Sequence, residues 1–462
     1  MTPEQSTPAQ TTSDVRRVGP RITGLAALRL LTRLGGPIVA GGVIARRRTT
    51  MPLLEKLQTD ADTVSIMTEL RSRYGPGPLQ LVIPGRTIVV PLTAPDVGRI
   101  LESSPDPFTP ANREKRAALS PFQPHGVLIS RGSLRESRRR FNEDVLDTSE
   151  PLHHLAGTFA TTINDEAAQL SSDVLARGGV LDAGMFIPAW WRMVRRLTLG
   201  GSAREDTALT DLLWTLRSRG NWSYLLPPAR RRRERFLGRL YHYVDDADPL
   251  SLAGVVAASR PGAAVDPVGQ IPHWLFAFDA AGIITMRTLA LLATHPEAMA
   301  RARREIADLD LSQPHTLPYL QACVLESARL WPTTPAILRD STAVTAWGGG
   351  DTQFQIESGA AFLILAAAFH RDKQTVPFAD AFTPDAWLDG RAAAEVAFVP
   401  FSAGPARCPG ENLVLYTAST MLANLISALP NLQLTSTPNL SPAAPIPATL
   451  NHYTLAFGTG AS

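Results

Sequence analysis

Only two cysteines, Cys323 and Cys408, occur in the 462 residues. So small a supply argues against a disulfide framework and for a reducing, cytoplasmic setting. The nine histidines show no zinc-like spacing with them. Charge of one sign is also scarce: 45 basic against 42 acidic side chains leave a net +3, too little for a field that would recruit nucleic acid. The chain has no G-x-G-x-x-G dinucleotide fingerprint. Its first apolar stretch, Leu25 to Ala45, carries Arg29 and Arg33 and is broken by Gly35, Gly36 and Pro37. The uninterrupted part is too short to cross a bilayer and has no small-residue cleavage site. It reads as a helix packed on the body of the protein, or as a surface helix that touches membrane.

What is present is an ordinary globular composition, 44% hydrophobic. Residues 1–20 form a Thr-, Pro-, Gln- and Ser-rich tail expected to be disordered, residues 21–50 a helical segment, and residues 51–462 one large unit without linkers. Leu79 to Thr93 predicts a hairpin turning at Pro84-Gly85-Arg86, followed by a helix from Ala94. Five prolines between Pro105 and Val127 predict a long irregular loop. Helical periodicity then runs from Arg131 to about Leu311. Strand patterns return at Ile337 to Ala346, Phe354 to Ile356, Ala361 to Leu365 and Tyr453 to Phe457. The fold class is mainly α with small β-sheets (α+β).

Phe401 to Gly410 places Cys408 in a loop tightened by Gly404, Pro405, Pro409 and Gly410, ahead of an apolar helical run, Glu411 to Leu429. A thiolate there meets the positive end of a helix and loop N–H groups, an environment that suits a metal ligand. A plain core cysteine is the alternative reading. The pattern F-x-x-G-x-x-x-C-x-G resembles the haem-binding loop of the cytochrome P-450 family, and the layout over roughly residues 50–460 is similar to that family's. The resemblance implies a haem b cofactor with Cys408 as its metal ligand and Phe401, Arg407 and Gly410 beside it.

The resemblance extends to Glu326-Ser327-Ala328-Arg329, matching the family's structural E-x-x-R pair, Glu326 with Arg329. Its third member, an Arg, is replaced here by Ala386 within Phe382 to Trp387, so that Arg391 or His370 substitutes or the pair stands alone. Propionate-binding cations map onto Arg135, Arg139 and Arg339. The oxygen-activating helix maps onto Ile271 to Thr294, with catalytic positions Asp279 and Ala280, the latter standing where the family keeps threonine. A competing register would use Thr285, which lies about 500° of helix rotation away.

The resemblance therefore implies a haem-thiolate monooxygenase of bacterial soluble type. It would oxidise an apolar small molecule, in secondary metabolism, with electrons from NAD(P)H through a ferredoxin- or flavodoxin-type donor and its reductase. Pocket candidates are Phe108, Phe122, Trp222, Phe276 and Ile337, with Phe278 and the Pro445 to Leu450 segment. The alternatives are oxidative coupling or desaturation by the same haem, or a metal-dependent helical terpene cyclase built on Asp245, Asp246 and Asp248. Arg230 to Arg233 with Arg235 read as a solvated basic face, or as a docking patch for an acidic donor.

Overall fold

The computed structural model describes residues 19–438 and 440–460. Most of the tail expected over 1–20 lies outside them; Pro20 is held, its carbonyl accepting from the Gln80 N–H at 2.9 Å. The strand β1 (Arg21–Thr23) leads into α1 (Gly24–Gly41), α2 (Met51–Leu57) and α3 (Thr59–Tyr74). The expected hairpin is β2 (Leu79–Ile83) and β3 (Arg86–Val90), and α4 (Ala94–Glu102) follows it. Its turn takes only Pro84 and Gly85, with Gly85 at φ 74°, so Arg86 already belongs to the second strand.

The loop expected between residues 105 and 127 is less irregular than its prolines suggest. After β4 (Phe108–Thr109), the proline-free stretch between Pro110 and Pro121 folds as α5 (Arg113–Leu119). Asn112 caps that helix, its Oδ1 accepting from the Lys115 N–H at 2.8 Å.

A continuous helical body follows: α6 (Gly132–Val145), α7 (Ala156–Ala176), then β5 (Val180–Asp182), α8 (Ala183–Leu199), α9 (Thr207–Gly220), α10 (Arg230–Asp245) and α11 (Leu252–Ala258). At its centre lies α12 (Ile271–Thr294), flanked by α13 (Pro296–Ile306) and α14 (Pro318–Leu330). Among the described residues α12 is the one helix long and apolar enough to cross a membrane, but 78% of that window is buried inside the protein. It is a core helix. Gly282 is where α8 crosses it: a Cβ there would meet the Trp190 indole at 2.8 Å, and that indole donates to the Phe278 carbonyl.

The chain then returns to β-structure with β6 (Ala336–Ser341), β7 (Thr345–Trp347), β8 (Phe354–Ile356) and β9 (Ala361–Leu365). Two short helices, α15 (Ala366–His370) and α16 (Arg391–Ala394), precede α17 (Glu411–Ala428), and β10 (Gln433–Leu434) and β11 (Ala456–Gly458) close the chain. The strands form a six-membered sheet ordered β1-β2-β3-β9-β6-β4, a three-membered sheet β10-β11-β5 and the hairpin β7-β8. Two of the expected strands come out differently. Ile337 to Ala346 is split by a turn at 342–344, and Tyr453 lies in a 3-10 turn, His452–Thr454, because Asn451 Oδ1 accepts the Tyr453 N–H. One large hydrophobic cluster joins the helices, and a smaller one lies under the six-stranded sheet.

Glu166 on α7 ties the body together. Only 1% exposed, it accepts from Arg192 (3.2 Å) and Arg196 (2.9 Å) of α8 and from Arg204 beyond it (2.6 Å). Burial opposes its charge, but the hydrogen bonds from Arg204 and Arg196 outweigh that and hold its carboxyl below the usual glutamate range. A group depressed in this way adds stability at pH values above its unfolded value of about 4.3, and that contribution is lost as pH falls through the lower folded value. Replacing it, as Glu166→Gln, is expected to cost about 3–5 kcal/mol at neutral pH, because three arginines lose their buried partner. Urea unfolding midpoints of both proteins measured from pH 7 down to 3 should converge at the acid end.

Candidate functional site

The cysteine loop is shaped by backbone that few residues tolerate. Gly404 has φ 62°, and a Cβ there would collide with the Leu101 carbonyl at 2.3 Å. The Cys408 N–H donates to the Phe401 carbonyl at 2.9 Å, closing the loop. Phe401 packs its ring on the large core cluster. Thr148 Oγ1 donates to the Pro409 carbonyl (2.7 Å) and Arg139 Nη1 to the Arg407 carbonyl (2.6 Å), pinning the loop to α6 and the turn after it. Cys408 thus sits just ahead of α17, whose first residue is Glu411. Burial pushes its thiol up to about 11, against a hydrogen bond from the Gly410 N–H and the charges of Arg139 and Arg407. A bare thiol there stays protonated, whereas a coordinated metal ion would remove the proton outright.

Beside the loop lie three cations to which no carboxylate among the described residues is hydrogen-bonded, two of them buried and Lys115 half-buried. Arg135 on α6 is 7% exposed and its Nε has no partner. Arg339 on β6 is fully enclosed, donating from Nε to Ser104 Oγ and from Nη2 to Ser402 Oγ, both at 3.1 Å. Burial, then the charge of Arg135, lowers Arg339 to about 10. The sequence reading missed Lys115 on α5, whose Nζ donates to the Leu338 carbonyl at 3.1 Å. Burial, then the charge of Arg339, holds its ammonium well below the usual lysine range. Among the described residues no carboxylate bonds to any of the three; the nearby Asp340 is taken by Arg86 at 2.6 Å. Three desolvated cations without a counter-anion suit a ligand that carries carboxylates, and so fit the two carboxylates of a haem.

Arg139 and Arg407 are otherwise engaged. Arg139 Nε bonds Glu143 at 2.5 Å. The Arg407 side chain is 60% exposed and forks onto Glu411 one helical turn on, at 2.5 and 2.7 Å. Set on the outer side of the turn, it faces solvent and does not join Lys115, Arg135 and Arg339.

On α12, which is buried almost throughout, His273, Phe276, Ala277, Asp279 and Ala280 stay partly accessible. Positions 273, 276, 277 and 280 share one face. Phe122 packs edge-on against Phe276, ring centroids 5.8 Å apart. His273 keeps Nδ1 unpartnered, and burial, then the charge of Lys115, lowers it to about 4. Asp279 pairs with Arg217 of α9 at 2.6 Å, and Arg217 also donates to the Ile44 carbonyl and lies over the Phe276 ring. Thr285 is fully buried and donates its hydroxyl to the Ala281 carbonyl at 2.9 Å, so that hydroxyl is spent inside the helix.

Two of the pocket candidates fall elsewhere. Phe108 pairs in β4 with β6, which turns its ring into the sheet core against Phe362 (4.9 Å) and Trp347 (6.0 Å). Trp222 follows the end of α9, is 44% exposed and stacks under Arg47. Ile337 is buried in the sheet cluster, and Phe278 is buried with its carbonyl bonded to Trp190. Of the other acidic and histidine clusters, Asp248 accepts from the Gly201 and Leu250 N–H groups, and His153 uses both ring nitrogens on the Val145 carbonyl and the Leu155 N–H.

Glu326 and Arg329, both fully buried on α14, form two hydrogen bonds at 2.6 and 2.7 Å. Arg329 also donates to the carbonyls of His370, Phe378, Ala379 and Ala381. Neither residue expected to replace the third arginine does so. Arg391 pairs with Asp389 at the surface, and His370 donates from Nδ1 to the Arg329 carbonyl while its Nε2 accepts the Val399 N–H. Glu326 is completed instead by the Trp387 indole and the Thr383 N–H, each at 2.9 Å. An indole one position beyond Ala386 thus supplies the missing donor without a charge. Trp387→Phe is expected to lower stability by about 1.5–3 kcal/mol, the range for a buried hydrogen bond to a charged group. Arg391→Ala should stay within about 0.5 kcal/mol. Denaturant midpoints of the two variants make the comparison.

A cytochrome P-450 family model matches residues 283–439. Cyclooctat-9-en-7-ol 5-monooxygenase of Streptomyces melanosporofaciens is 27% identical over 341 residues, 66% of this chain and 72% of that one. The probable cytochrome P-450 4s3 of Drosophila melanogaster is 30% identical over 139 residues, 30% of this chain and only 27% of the relative's length. Among solved structures, a zebrafish cytochrome P-450 with abiraterone superposes with TM-score 0.65 at 19% identity, covering 86% of this chain and 98% of that one. A retinoic acid-bound cyanobacterial protein does so with TM-score 0.67 at 17% identity, covering 85% and 93%. The family model, these relatives and the shared fold agree in supporting one family, cytochrome P-450.

Proposed function

We propose that the protein is a haem-thiolate monooxygenase acting on an apolar small molecule. The observation that carries this reading is the set of cations Lys115, Arg135 and Arg339 beside the loop of Cys408, drawn out of water and bonded to no carboxylate among the described residues. In this reading Cys408 ligates the iron, the three cations hold the haem carboxylates, and Arg139 fixes the loop through the Arg407 carbonyl. Bound haem supplies the oxygen activation. Phe122, Phe276 and Ala277 offer a largely apolar wall, which suits a guest such as the hydroxylated hydrocarbon named for the Streptomyces relative. In this reading Asp279, whose Oδ2 is held by Arg217, passes a proton beside Ala280 through its other oxygen, Oδ1. Position 280 offers no hydroxyl and Thr285 spends its own, so a polar group on the substrate itself is the nearest source of the missing hydrogen bond. Electrons reach the site from NAD(P)H through a separate ferredoxin- or flavodoxin-type carrier in the cytoplasm, in keeping with a chain without a dinucleotide fingerprint. Secondary metabolism is the setting that such a substrate implies.

The test is spectroscopic. The reduced, carbon-monoxide-bound protein should show the red-shifted Soret band of thiolate ligation; Cys408→Ala should lose it and Cys323→Ala should keep it. Cys323 is a buried helix residue whose thiol burial pushes well up, and loss of the band in Cys323→Ala alone would overturn the assignment. Thr285→Ala should leave product formed per NAD(P)H unchanged within about twofold, since its hydroxyl bonds only its own helix.

A further inference from the structure

Gln270, His273 and Trp274 bring polar groups to the start of α12, and two of these side chains are fully answered. Gln270 Nε2 donates to the His125, Val265 and Asp266 carbonyls, and its Oε1 accepts from Asn142 Nδ2 at 3.3 Å. The Trp274 indole donates to Asn142 Oδ1 at 2.7 Å. His273 between them differs: its Nδ1 is enclosed and has no partner. A buried polar atom left in that state calls for something to bond it. Burial, then the charge of Lys115, lowers His273 to about 4, so the ring is neutral, with one nitrogen a donor and the other an acceptor.

The space that the ring faces is internal. His273 shares its face of α12 with Phe276, Ala277 and Ala280, which keep accessible surface although Trp274, Leu275, Phe278 and Ala281 beside them are buried. Its ring centroid lies 5.8 Å from that of Phe276, which in turn meets the fully buried Phe122. The face is thus an apolar wall with one polar group at its N-terminal end. Folding does not account for that group, since an apolar side chain at 273 would leave no polar atom to satisfy. Along α12, His273 stands two turns before Ala280, about 10 Å of helix.

We propose that His273 determines specificity: its Nδ1 bonds a hydroxyl or carbonyl oxygen carried by an otherwise apolar substrate, about 10 Å from the carbon oxidised beside Ala280. A hydroxyl suits the ring best. It answers Nδ1 whether that atom carries the proton or the lone pair, whereas a carbonyl answers only the N–H form. A cationic group is disfavoured, because the charge of Lys115 already acts on the same ring. The rival occupant is a carboxylate of the haem, which would draw first on Lys115, Arg135 and Arg339, since those are charged and the imidazole is neutral. A water resting at Nδ1 in the free enzyme leaves the preference intact, because an apolar guest would displace it without replacing its hydrogen bond. The inference rests on the haem reading for the place of oxidation and adds a second point by which the substrate is held.

The experiment is a spectral titration of the full haem-loaded chain with imidazoles that carry an unbranched hexyl, octyl or decyl tail, each with and without a hydroxyl on the terminal carbon. The probe's imidazole reports its binding to the iron as a red shift of the Soret band, and the tail length sets its reach toward His273. At the length that reaches, the gain from the hydroxyl should be about fivefold to tenfold larger in the parent than in His273→Leu. His273→Gln, which keeps a donor and an acceptor, should retain most of that gain. Should His273→Leu fail to hold haem, the series in the parent reads the same contact: the gain should peak at one tail length and vanish at the others. An equal gain in parent and His273→Leu, or a series without a peak, would overturn the proposal alone. Absence of a Soret shift with every probe would overturn the haem reading and the proposal with it.

Discussion

The pair Glu326–Arg329 is the constraint on which the site depends. Two charges with no exposure are costly to bury and persist only when every lone pair and proton is answered. Here they are: Arg329 gathers four carbonyls from the 370–381 segment, and Glu326 takes the Thr383 N–H and the Trp387 indole. His370 carries the restraint onward, bonding the Arg329 carbonyl on one side and the Val399 N–H on the other. Burial, then Arg329's charge, lowers His370 to about 3, so it stays neutral and keeps one donor and one acceptor. Two residues after Val399 the cysteine loop begins. The ion pair on α14 thus positions Cys408 from a distance by fixing the chain that leads to it.

Charge in this protein is unevenly placed, and its net value conceals that. The cations Lys115, Arg135 and Arg339, which no described carboxylate bonds, converge on one region beside the cysteine loop, while Arg230, Arg231 and Arg232 lie exposed at the start of α10. In the first region desolvation raises the value of any anion that enters; in the second, water and salt moderate it. The same residue type therefore supports a cofactor site in one place and a solvated surface in the other.

Much of the fold was legible because it rests on local rules. The hairpin turned where Pro84-Gly85 stood, α12 ended ahead of Pro296, and the central helices followed their periodicity. The cysteine loop could be read because its glycines and prolines dictate backbone that few other residues allow. What could not be read depended on partners distant in sequence. Lys115 looks like an ordinary surface lysine until β6 brings Leu338 and Arg339 to it. Trp387 carries no such signal in the sequence, because an indole N–H there serves the lone pair that an arginine serves in the family pattern. Arg407 stands beside Cys408 in the sequence, but Glu411 one turn away draws it outward. Phe108 and Trp222 show that an aromatic ring in a loop carries no address of its own.

The central claim is that the cations Lys115, Arg135 and Arg339 beside Cys408 exist to hold the carboxylates of a haem. Reconstitution of the haem-stripped protein with haem and with haem whose two propionates are esterified tests this without any turnover. The account predicts that the ester binds at least about a hundredfold more weakly, since charge-assisted hydrogen bonds of about 1.5–3 kcal/mol each are lost and the cations stay uncompensated. Equal affinity for the two haems would contradict it.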